Sequence, residues 1–302
     1  MWRGIVSALL AVIAGIMICA GAVANWASTT VVSTSGFTAA VGPLSAHPEV
    51  QQELTSAVSS RVITSLTDAV ASAPFPLSLL QGVIPQLTGP INEAVGKAVT
   101  SDAAAQAWTT TVTTIHDDAV AAARGQESGI ALGEGNATID LNTIRDPLLA
   151  SVDVPDQVKS LLGQVNLGEI TITTGISPTL LEWGVRLSER WRLLIALGLV
   201  AIVAAALVAR RAGAGLLMAG VAIVVTSGIA SVIIGNGLRG TPPPDALSRA
   251  LSNVFVDALQ PPLTQSLTLA ALSGVVLAVV GGGVWLVAHL RGRRSPEPVP
   301  AQ

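Results

Sequence analysis

The chain has 302 residues, of which 50% are hydrophobic and 12% are charged, and its mean hydropathy is +0.63. This composition excludes an ordinary soluble domain and is typical of an integral membrane protein. The formal net charge is −3, and the single cysteine, Cys19, excludes an intrachain disulfide. The lipid bilayer is therefore the first partner that the sequence predicts.

Four apolar stretches are long enough to cross a bilayer, whose hydrocarbon core is about 30 Å thick. They are Gly4–Ala24, Leu193–Ala209, Ala214–Gly235 and Ser266–Leu290. The second stretch covers roughly 25 Å as a helix and needs its flanking residues to reach across. The first stretch ends in a triplet that resembles a signal-peptidase site. However, its uncharged run exceeds the about 7–15 residues of a signal peptide, so we expect an uncleaved anchor.

Arginines flank these stretches in a pattern that predicts their orientation. Arg3, Arg210, Arg211 and the arginines that follow residue 290 all fall on one side of the membrane if both termini are cytoplasmic. The positive-inside rule favours that arrangement. Lysine is scarce while alanine, valine and glycine dominate, which indicates a GC-rich bacterial genome. We therefore predict a multi-pass protein of the bacterial plasma membrane with a large extracytoplasmic domain.

The spans divide the chain into seven predicted segments. Residues 1–25 are the N-terminal anchor, and residues 26–177 are the extracytoplasmic domain. The remaining segments are a stalk helix continuous with the second span (178–211), the third span (212–236), an outer loop with an amphipathic helix (237–264), the fourth span (265–290) and a cytoplasmic tail (291–302).

The outer domain contains predicted helices with single apolar faces. Val50, Leu54, Val58 and Val62 recur every four residues after Pro48, and that spacing predicts one helix. Ser101 or Asp102 is expected to cap a second helix that carries Trp108 and Val112 inward and stops at Gly125. A short helix with turns is expected over Leu77–Pro90, and another helix around Pro147–Leu162.

Three short segments alternate apolar and polar residues as strands do. They are Ile130–Leu132, Ala137–Leu141 and Glu169–Thr174, and a glycine-rich turn separates the first two. Because two strands alone are marginal, we expect the three to form one sheet. The predicted fold class is therefore an α-helical membrane protein with four transmembrane helices and a mostly helical α+β domain that contains a three-stranded sheet.

The charge of the outer region limits its partners. Residues 26–190 contain sixteen acidic and seven basic side chains, which leave a charge of −9. Such a region repels nucleic acid and anionic lipid headgroups. We predict no nucleic-acid partner, and an unidentified envelope protein or lipid as the partner.

The stretch after the first span carries a series of short motifs. It reads Thr30-Val31-Val32-Ser33-Thr34-Ser35-Gly36-Phe37, then Pro43-Leu44, then His47-Pro48-Glu49-Val50-Gln51. The series resembles the opening of the outer region in a family of four-span actinobacterial integral membrane proteins of unassigned function. Members of that family carry Thr-Val-Leu-Asp-Thr-Asp-x-Phe, Pro-Leu and Asp-Pro-x-Val-Gln at these places. The Trp108 helix, the Asn136–Leu141 strand and the order of the spans resemble it too.

This chain departs from the family at Ser33, Ser35 and His47, where members tend to carry aspartate. The departures weaken any idea that those positions bind a cation, and they make His47 a poorer helix cap than aspartate. The resemblance implies a topology and a lineage. It implies no activity.

The sequence contains no pattern of residues that is specific for catalysis or metal binding. His116-Asp117-Asp118 is the most metal-like cluster, but adjacent helical residues point about 100° apart, so we expect a solvated helix face. No Gly-x-Ser-x-Gly or Ser-x-x-Lys pattern marks an activated serine. We predict that the protein is not an enzyme and has no catalytic residue, no cofactor and no metal.

Small residues are frequent in the third and fourth spans, whereas acids and bases at mid-depth, which ion-coupled carriers need, are missing. Close helix packing explains the small residues, within the bundle or against a partner. They are Gly215, Ala219, Gly220, Gly228, Ser231 and Gly235 in the third span, and Gly274, Ala278 and Gly281–Gly283 in the fourth.

One candidate site remains on the stalk helix, which we call the interaction seam. It consists of Leu180, Trp183, Gly184, Leu187 and Trp191, which fall on about a third of the helix circumference. Glycine in an exposed helix costs about 1 kcal/mol relative to alanine, so Gly184 suggests that another element packs closely there.

Two functions are compatible with these observations. The first is a non-enzymatic binding or scaffold protein that presents its outer domain to another envelope component. The alternative is an accessory subunit of a transport system that handles a lipid or a small-molecule ligand. The sequence identifies neither the ligand nor the oligomeric state.

Overall fold

The computed structural model describes residues 2–71, 84–126, 136–140, 163, 169–173, 178–239 and 246–292. The chain divides into two compact units. The membrane unit consists of Met1–Thr29, Gly184–Leu238 and Gln260–Gln302. The second unit consists of Thr30–Trp183 and Arg239–Leu259.

Almost all described residues belong to helices. In chain order the elements are α1 (Trp2–Trp26), a π-helix (Ala27–Val32), α2 (Thr34–Val41), a 3₁₀-helix (Gly42–Ala46), α3 (Pro48–Ala71), α4 (Ile84–Val99), α5 (Asp102–Ala123), β1 (Asn136–Asp140), β2 (Glu169–Thr173), α6 (Pro178–Glu189), α7 (Trp191–Val208), α8 (Ala212–Arg239) and α9 (Ala246–Gly292).

Four of these helical stretches are long and apolar enough to cross a membrane, which confirms the four predicted spans. They are Trp2–Val32, Trp191–Val208, Ala212–Gly237 and Ala246–Arg291. The chain is therefore a multi-pass membrane protein. A helix satisfies its own backbone hydrogen bonds, so these segments need no partner for their peptide groups within lipid.

Helices α1 and α7 pack along each other in the membrane unit, and small side chains fill their contact. The core includes Ala14, Ala205 and Ile223. Two hydroxyl groups form hydrogen bonds between helices. Ser7 Oγ of α1 donates to Ala205 O of α7 at 2.9 Å, and Thr226 Oγ1 of α8 donates to Gly15 O of α1 at 3.1 Å. In an apolar bundle such bonds satisfy polar groups that lipid cannot.

Glycines bring α8 and α9 into backbone contact, which confirms that small residues serve close packing within the bundle. A Cβ on Gly274 would lie 2.8 Å from Gly220 O, and a Cβ on Gly281 would collide with the backbone of Leu217. Gly213 and Gly220 of α8 are seven residues apart, and so are Gly274 and Gly281 of α9. Seven residues are two helical turns, so the glycines of each helix lie on one face. By contrast, Gly228 and Gly235 have nothing within 4 Å of such a Cβ.

The second unit has its own core, built from both of its chain segments. Trp108 and Val112 of α5 pack with Val41 and Val50, and Leu251 of α9 belongs to the same cluster. Trp108 Nε1 donates to Val41 O at 3.2 Å, so the buried indole N–H has a hydrogen-bond acceptor. The prediction that Trp108 and Val112 face inward is confirmed, and so is the burial of Val50, Val58 and Val62 along α3.

The ends of α5 also agree with the prediction. Ser101 is its N-cap, and the serine hydroxyl accepts a hydrogen bond from Ala104 N at 3.2 Å. Gly125 follows with φ of 74°, a left-handed conformation that suits glycine. Gln126 N then donates to Ala121 O at 2.9 Å, so the last turn is closed by a backbone bond.

The predicted α+β class with a three-stranded sheet is wrong. The strands found in the described ranges are β1 and β2, and they pair with each other in antiparallel register from Asn136↔Thr173 to Asp140↔Glu169. Predicted strand Ile130–Leu132 and helix Pro147–Leu162 lie outside the described residues. Helical apolar stripes form the core of the second unit, so its architecture is α-helical with one two-stranded ribbon.

The predicted continuous helix over 178–211 is also interrupted. Helix α6 ends at Glu189 and α7 begins at Trp191, and Arg190 between them has φ −102° and ψ 14°. Its N–H bonds to Leu187 O at 3.1 Å, an i to i+3 contact that tightens the last turn of α6. Helix α7 ends at Val208, so residues 209–211 form the turn to α8 instead of extending the helix.

Two more boundaries differ from the predictions, and both involve proline. Helix α9 runs from Ala246 through Pro261 and Pro262 to Gly292, so the predicted amphipathic helix of the outer loop and the predicted fourth span are one helix. We had expected a short helix with turns over Leu77–Pro90. Residues 77–83 lie outside the described residues, and α4 begins at Ile84, contains Pro90 and continues to Val99. Apolar residues recur at helical spacing on both sides of these prolines, and that packing outweighs the lost backbone bonds.

The contact between α8 and α9 can be tested with two alanine substitutions on one helix. A Cβ at Gly220 would lie 2.5 Å from Gly274 O, so Gly220→Ala should force the helices apart and lower the free energy of unfolding by about 1–3 kcal/mol. The matched control is Gly228→Ala, which meets open space and should stabilise α8 by up to about 1 kcal/mol. Thermal unfolding in detergent measures both. Equal melting temperatures for the two variants would contradict the packing.

Candidate functional site

We had predicted a solvated helix face for the His116 cluster, but that prediction is wrong for His116, which is a buried structural side chain. It is 6% exposed and stacks on Phe37 with ring centroids 4.2 Å apart. Its Nε2 lies 2.6 Å from Val31 O, at the end of the π-helix, where a helical carbonyl lacks a partner of its own. A carbonyl accepts, so Nε2 carries the hydrogen in this bond.

Of the two aspartates that follow His116, Asp117 contacts both the imidazole ring and α2. Asp117 accepts a hydrogen bond from Thr34 Oγ1 at 2.7 Å, and its Oδ1 is 3.4 Å from His116 Nδ1. These contacts join α5 to the start of α2. Among the described residues, no group of three or more His, Cys, Asp or Glu side chains converges as metal ligands would.

The interaction seam is largely exposed in the single chain. Trp183 is 64% exposed and Leu187 is 43% exposed, while a Cβ on Gly184 would meet nothing within 4 Å. Among the described residues, Gly184 therefore marks no close approach. Of the α6 side chains that the structure describes, Val185 and Ser188 are buried, and they lie on a different face. Trp191 begins α7 and is half-buried, and the side chain of Leu180 lies outside the described residues.

A groove of about 480 Å³ lies between α3 and α4 in the second unit. Its size is within the range of small-molecule sites. Helix α4 contributes Thr88 and Asn92, and Ile63 of α3 is the one aliphatic side chain of the lining. The polar lining residues from α3 are Gln52, Thr55, Ser56, Ser59, Ser60 and Thr64.

Ser59 differs from the other groove residues because it is buried. It is 2% exposed, and its hydroxyl has no hydrogen-bond partner among the described residues. Thr67 Oγ1, by comparison, donates to Ile63 O at 2.8 Å, whereas the buried Ser227 hydroxyl of α8 also has no partner among the described residues. A buried polar group without a partner costs free energy, but the Ser59 hydroxyl lies beneath the surface of the groove and does not reach a ligand there.

None of the described side chains that line the groove is ionisable. Near Asn92, Lys97 Nζ and Glu93 Oε1 form an exposed ion pair of 2.7 Å, and the hydrogen bond from Lys97 lowers the pKa of Glu93. Each charge of this pair therefore has a partner of opposite sign. The arrangement can hold a ligand by hydrogen bonds but supplies no charge.

The sequence analysis missed this groove. The sequence feature that corresponds to the groove is a set of residues at helical spacing on the side of α3 opposite the apolar stripe. They are Gln52, Ser56, Ser59 and Ile63. A polar stripe of that kind is also what the solvent face of any amphipathic helix shows. Only the position of α4 turns this face of α3 into a groove.

The role of His116 can be tested by removing its ring. His116→Ala should lower the free energy of unfolding of the second unit by about 2–3 kcal/mol, because it leaves Val31 O unpaired and opens a cavity beside Phe37. The control is Asp118→Asn, two residues along, which should change stability by less than about 0.5 kcal/mol. Pulse proteolysis in urea reports the unfolding of this unit. A midpoint for His116→Ala equal to that of the control would contradict a structural role.

The residues that carry the family resemblance have structural positions. Ser33 is the N-cap of α2 and accepts a bond from Gly36 N, and Phe37 packs on His116. His47 precedes α3, and its carbonyl accepts from Gln51 N at 3.0 Å. Comparisons with protein-family models, with curated proteins and with solved structures found no match to this chain. Membership of the actinobacterial family stays a prediction.

Proposed function

We propose that the protein is a non-enzymatic binding protein of the bacterial plasma membrane, with its second unit on the extracytoplasmic side and both termini in the cytoplasm. The groove between α3 and α4 carries this proposal. It combines a volume of about 480 Å³ with hydroxyl and carboxamide side chains from both helices. The spans anchor this unit and scaffold it.

The chemistry of the groove favours binding over catalysis. Among the lining residues that the structure describes, its hydroxyl groups have no histidine, carboxylate or amine that could act as a general base. An unactivated serine is a weak nucleophile at neutral pH. Hydrogen bonding is therefore the main interaction that the lining offers.

The membrane unit favours an anchor over an ion-coupled carrier. Such carriers place acids or bases at mid-depth in their spans. Within the four apolar stretches of the sequence the candidate base is His289, which lies near the end of α9, with its Nδ1 3.0 Å from Arg211 Nη1. Tight contacts between glycines of α8 and α9 suit a fixed bundle.

Single cysteines test both the orientation and the binding. Cysteines at Ser60, in the groove, and at Thr114, on the exposed side of α5, should react with a membrane-impermeant maleimide on intact cells. A cysteine at Ala212, between the second and third spans, should react only after lysis. The Ser60→Cys variant should also react more slowly in cells than in purified form, because its ligand protects it, whereas Thr114→Cys should react at equal rates.

Two results would contradict the proposal. Labelling of Ala212→Cys on intact cells would reverse the topology. Equal rates for Ser60→Cys in cells and in purified protein would show that nothing occupies the groove. The native Cys19 is buried in the membrane unit, and a Cys19→Ala background removes its contribution.

A further inference from the structure

A cavity of about 350 Å³ lies within the membrane unit, at the end where α1 begins and α7 turns into α8. It is separate from the groove between α3 and α4, so what it binds does not depend on the proposed function. Its volume is within the range of small-molecule sites. The lining includes Gly4 of α1, Arg210 and Arg211 of the turn, Ala214 and Met218 of α8, and Trp285 of α9.

The arginines at this end have no acidic partner among the described residues. Arg3 Nε donates to Val208 O at 3.2 Å, and Arg211 Nη1 lies 3.0 Å from His289 Nδ1. Neither partner is a carboxylate, so neither neutralises a guanidinium charge. Arg210 is exposed, and no described residue gives it a hydrogen bond or an ion pair. Two adjacent positive charges therefore line the cavity without a counter-charge from the described residues.

The membrane unit has few acidic residues that could balance these charges. Its three chain segments contain two, Glu189 and Glu297. Glu189 ends α6, and the 18 residues of α7, about 27 Å of helix, separate it from the turn. Glu297 lies outside the described residues. The described part of this end is therefore positively charged, and its field attracts an anion to the cavity.

The surroundings of the cavity favour an anion that also carries apolar chains. The positive-inside rule accounts for arginines on one side of a membrane, but not for a cavity that they line between helices. Basic pockets between spans are typical sites for anionic lipid headgroups. Met218 and Trp285 add apolar surface to the lining, and Leu207 and Leu286 are 74% and 50% exposed on the spans. A soluble phosphate would use only the arginines, whereas a lipid matches both features.

We propose that this cavity binds the phosphate group of an anionic membrane phospholipid. The guanidinium groups of Arg210 and Arg211 pair with the phosphate, because a planar guanidinium can donate two parallel hydrogen bonds to phosphate oxygens. The acyl chains lie against the exposed apolar side chains of the spans. The ring of His289 stacks on Trp285 with centroids 5.6 Å apart, and its Nδ1 contacts Arg211, so these three side chains are held together at the cavity.

The test uses the full-length, delipidated protein in detergent and native mass spectrometry, which counts bound lipids. The anionic probe is dioleoylphosphatidylglycerol, and the zwitterionic comparator is dioleoylphosphatidylcholine, which has the same chains. Soluble glycerophosphoglycerol carries the anionic headgroup without chains and so separates a lipid from a free phosphate ester. The first phosphatidylglycerol should bind about 10-fold more tightly than either comparator and should raise the melting temperature.

Variants of the arginines assign the binding to the cavity. Arg210→Gln, which removes a guanidinium that has no described partner to lose, should weaken phosphatidylglycerol binding about 5-fold. The double variant Arg210→Gln/Arg211→Gln should weaken it about 30-fold. The matched control is Arg192→Gln/Arg291→Gln, which has the same net charge and should change binding less than about 2-fold. Arg192 is at the opposite end of α7, and Arg291 lies about 200° around α9 from His289.

Three results would overturn the inference. Equal binding of phosphatidylglycerol and phosphatidylcholine would show that the arginines do not select an anion. Equal binding of glycerophosphoglycerol and the lipid would identify the ligand as a soluble phosphate ester. Equal losses in the cavity variant and the control variant would show a general effect of surface charge instead of a site. None of these results bears on the groove between α3 and α4.

Discussion

The second unit depends on one hydrophobic core that two separate stretches of chain must build together. Trp108 and Val112 come from the stretch between the first and second spans, whereas Leu247, Leu251 and Val254 come from the stretch between the third and fourth. More than a hundred residues of sequence separate the two stretches. The core of the second unit therefore joins segments that no local sequence pattern connects.

This core also explains how the groove arises. Helix α3 buries Val50, Val58 and Val62 and so turns its polar side towards α4. Ser59 follows Val58 directly and is carried below the surface with it, which leaves a buried hydroxyl among exposed ones. The binding function that we propose is consequently a property of helix packing. It requires neither an ionisable residue nor a metal, and the sequence shows no motif for it.

The sequence predicted those features that depend on long or local patterns. The spans follow from uninterrupted apolar runs, and the ends of α5 follow from Ser101 and Gly125. Features that depend on contacts between distant residues were missed. His116 looked solvated because two aspartates follow it, but Val31 O and Phe37 bury it. The predicted α+β class was wrong because the helices supply the core. The alternating segments predicted at Ala137–Leu141 and Glu169–Thr174 contribute one pair of strands, β1 and β2, in the described ranges.

The shared core of the second unit is tested most directly by hydrogen exchange. Leu251→Ala should raise exchange of the α5 amides around Trp108 by about 30-fold or more, since truncation of a buried leucine costs about 2–5 kcal/mol. Asn253→Ala, on the exposed side of the same part of α9, serves as the control and should leave α5 unchanged. If Leu251→Ala also leaves α5 exchange unchanged, the two stretches do not form one core, and the packing described above is wrong.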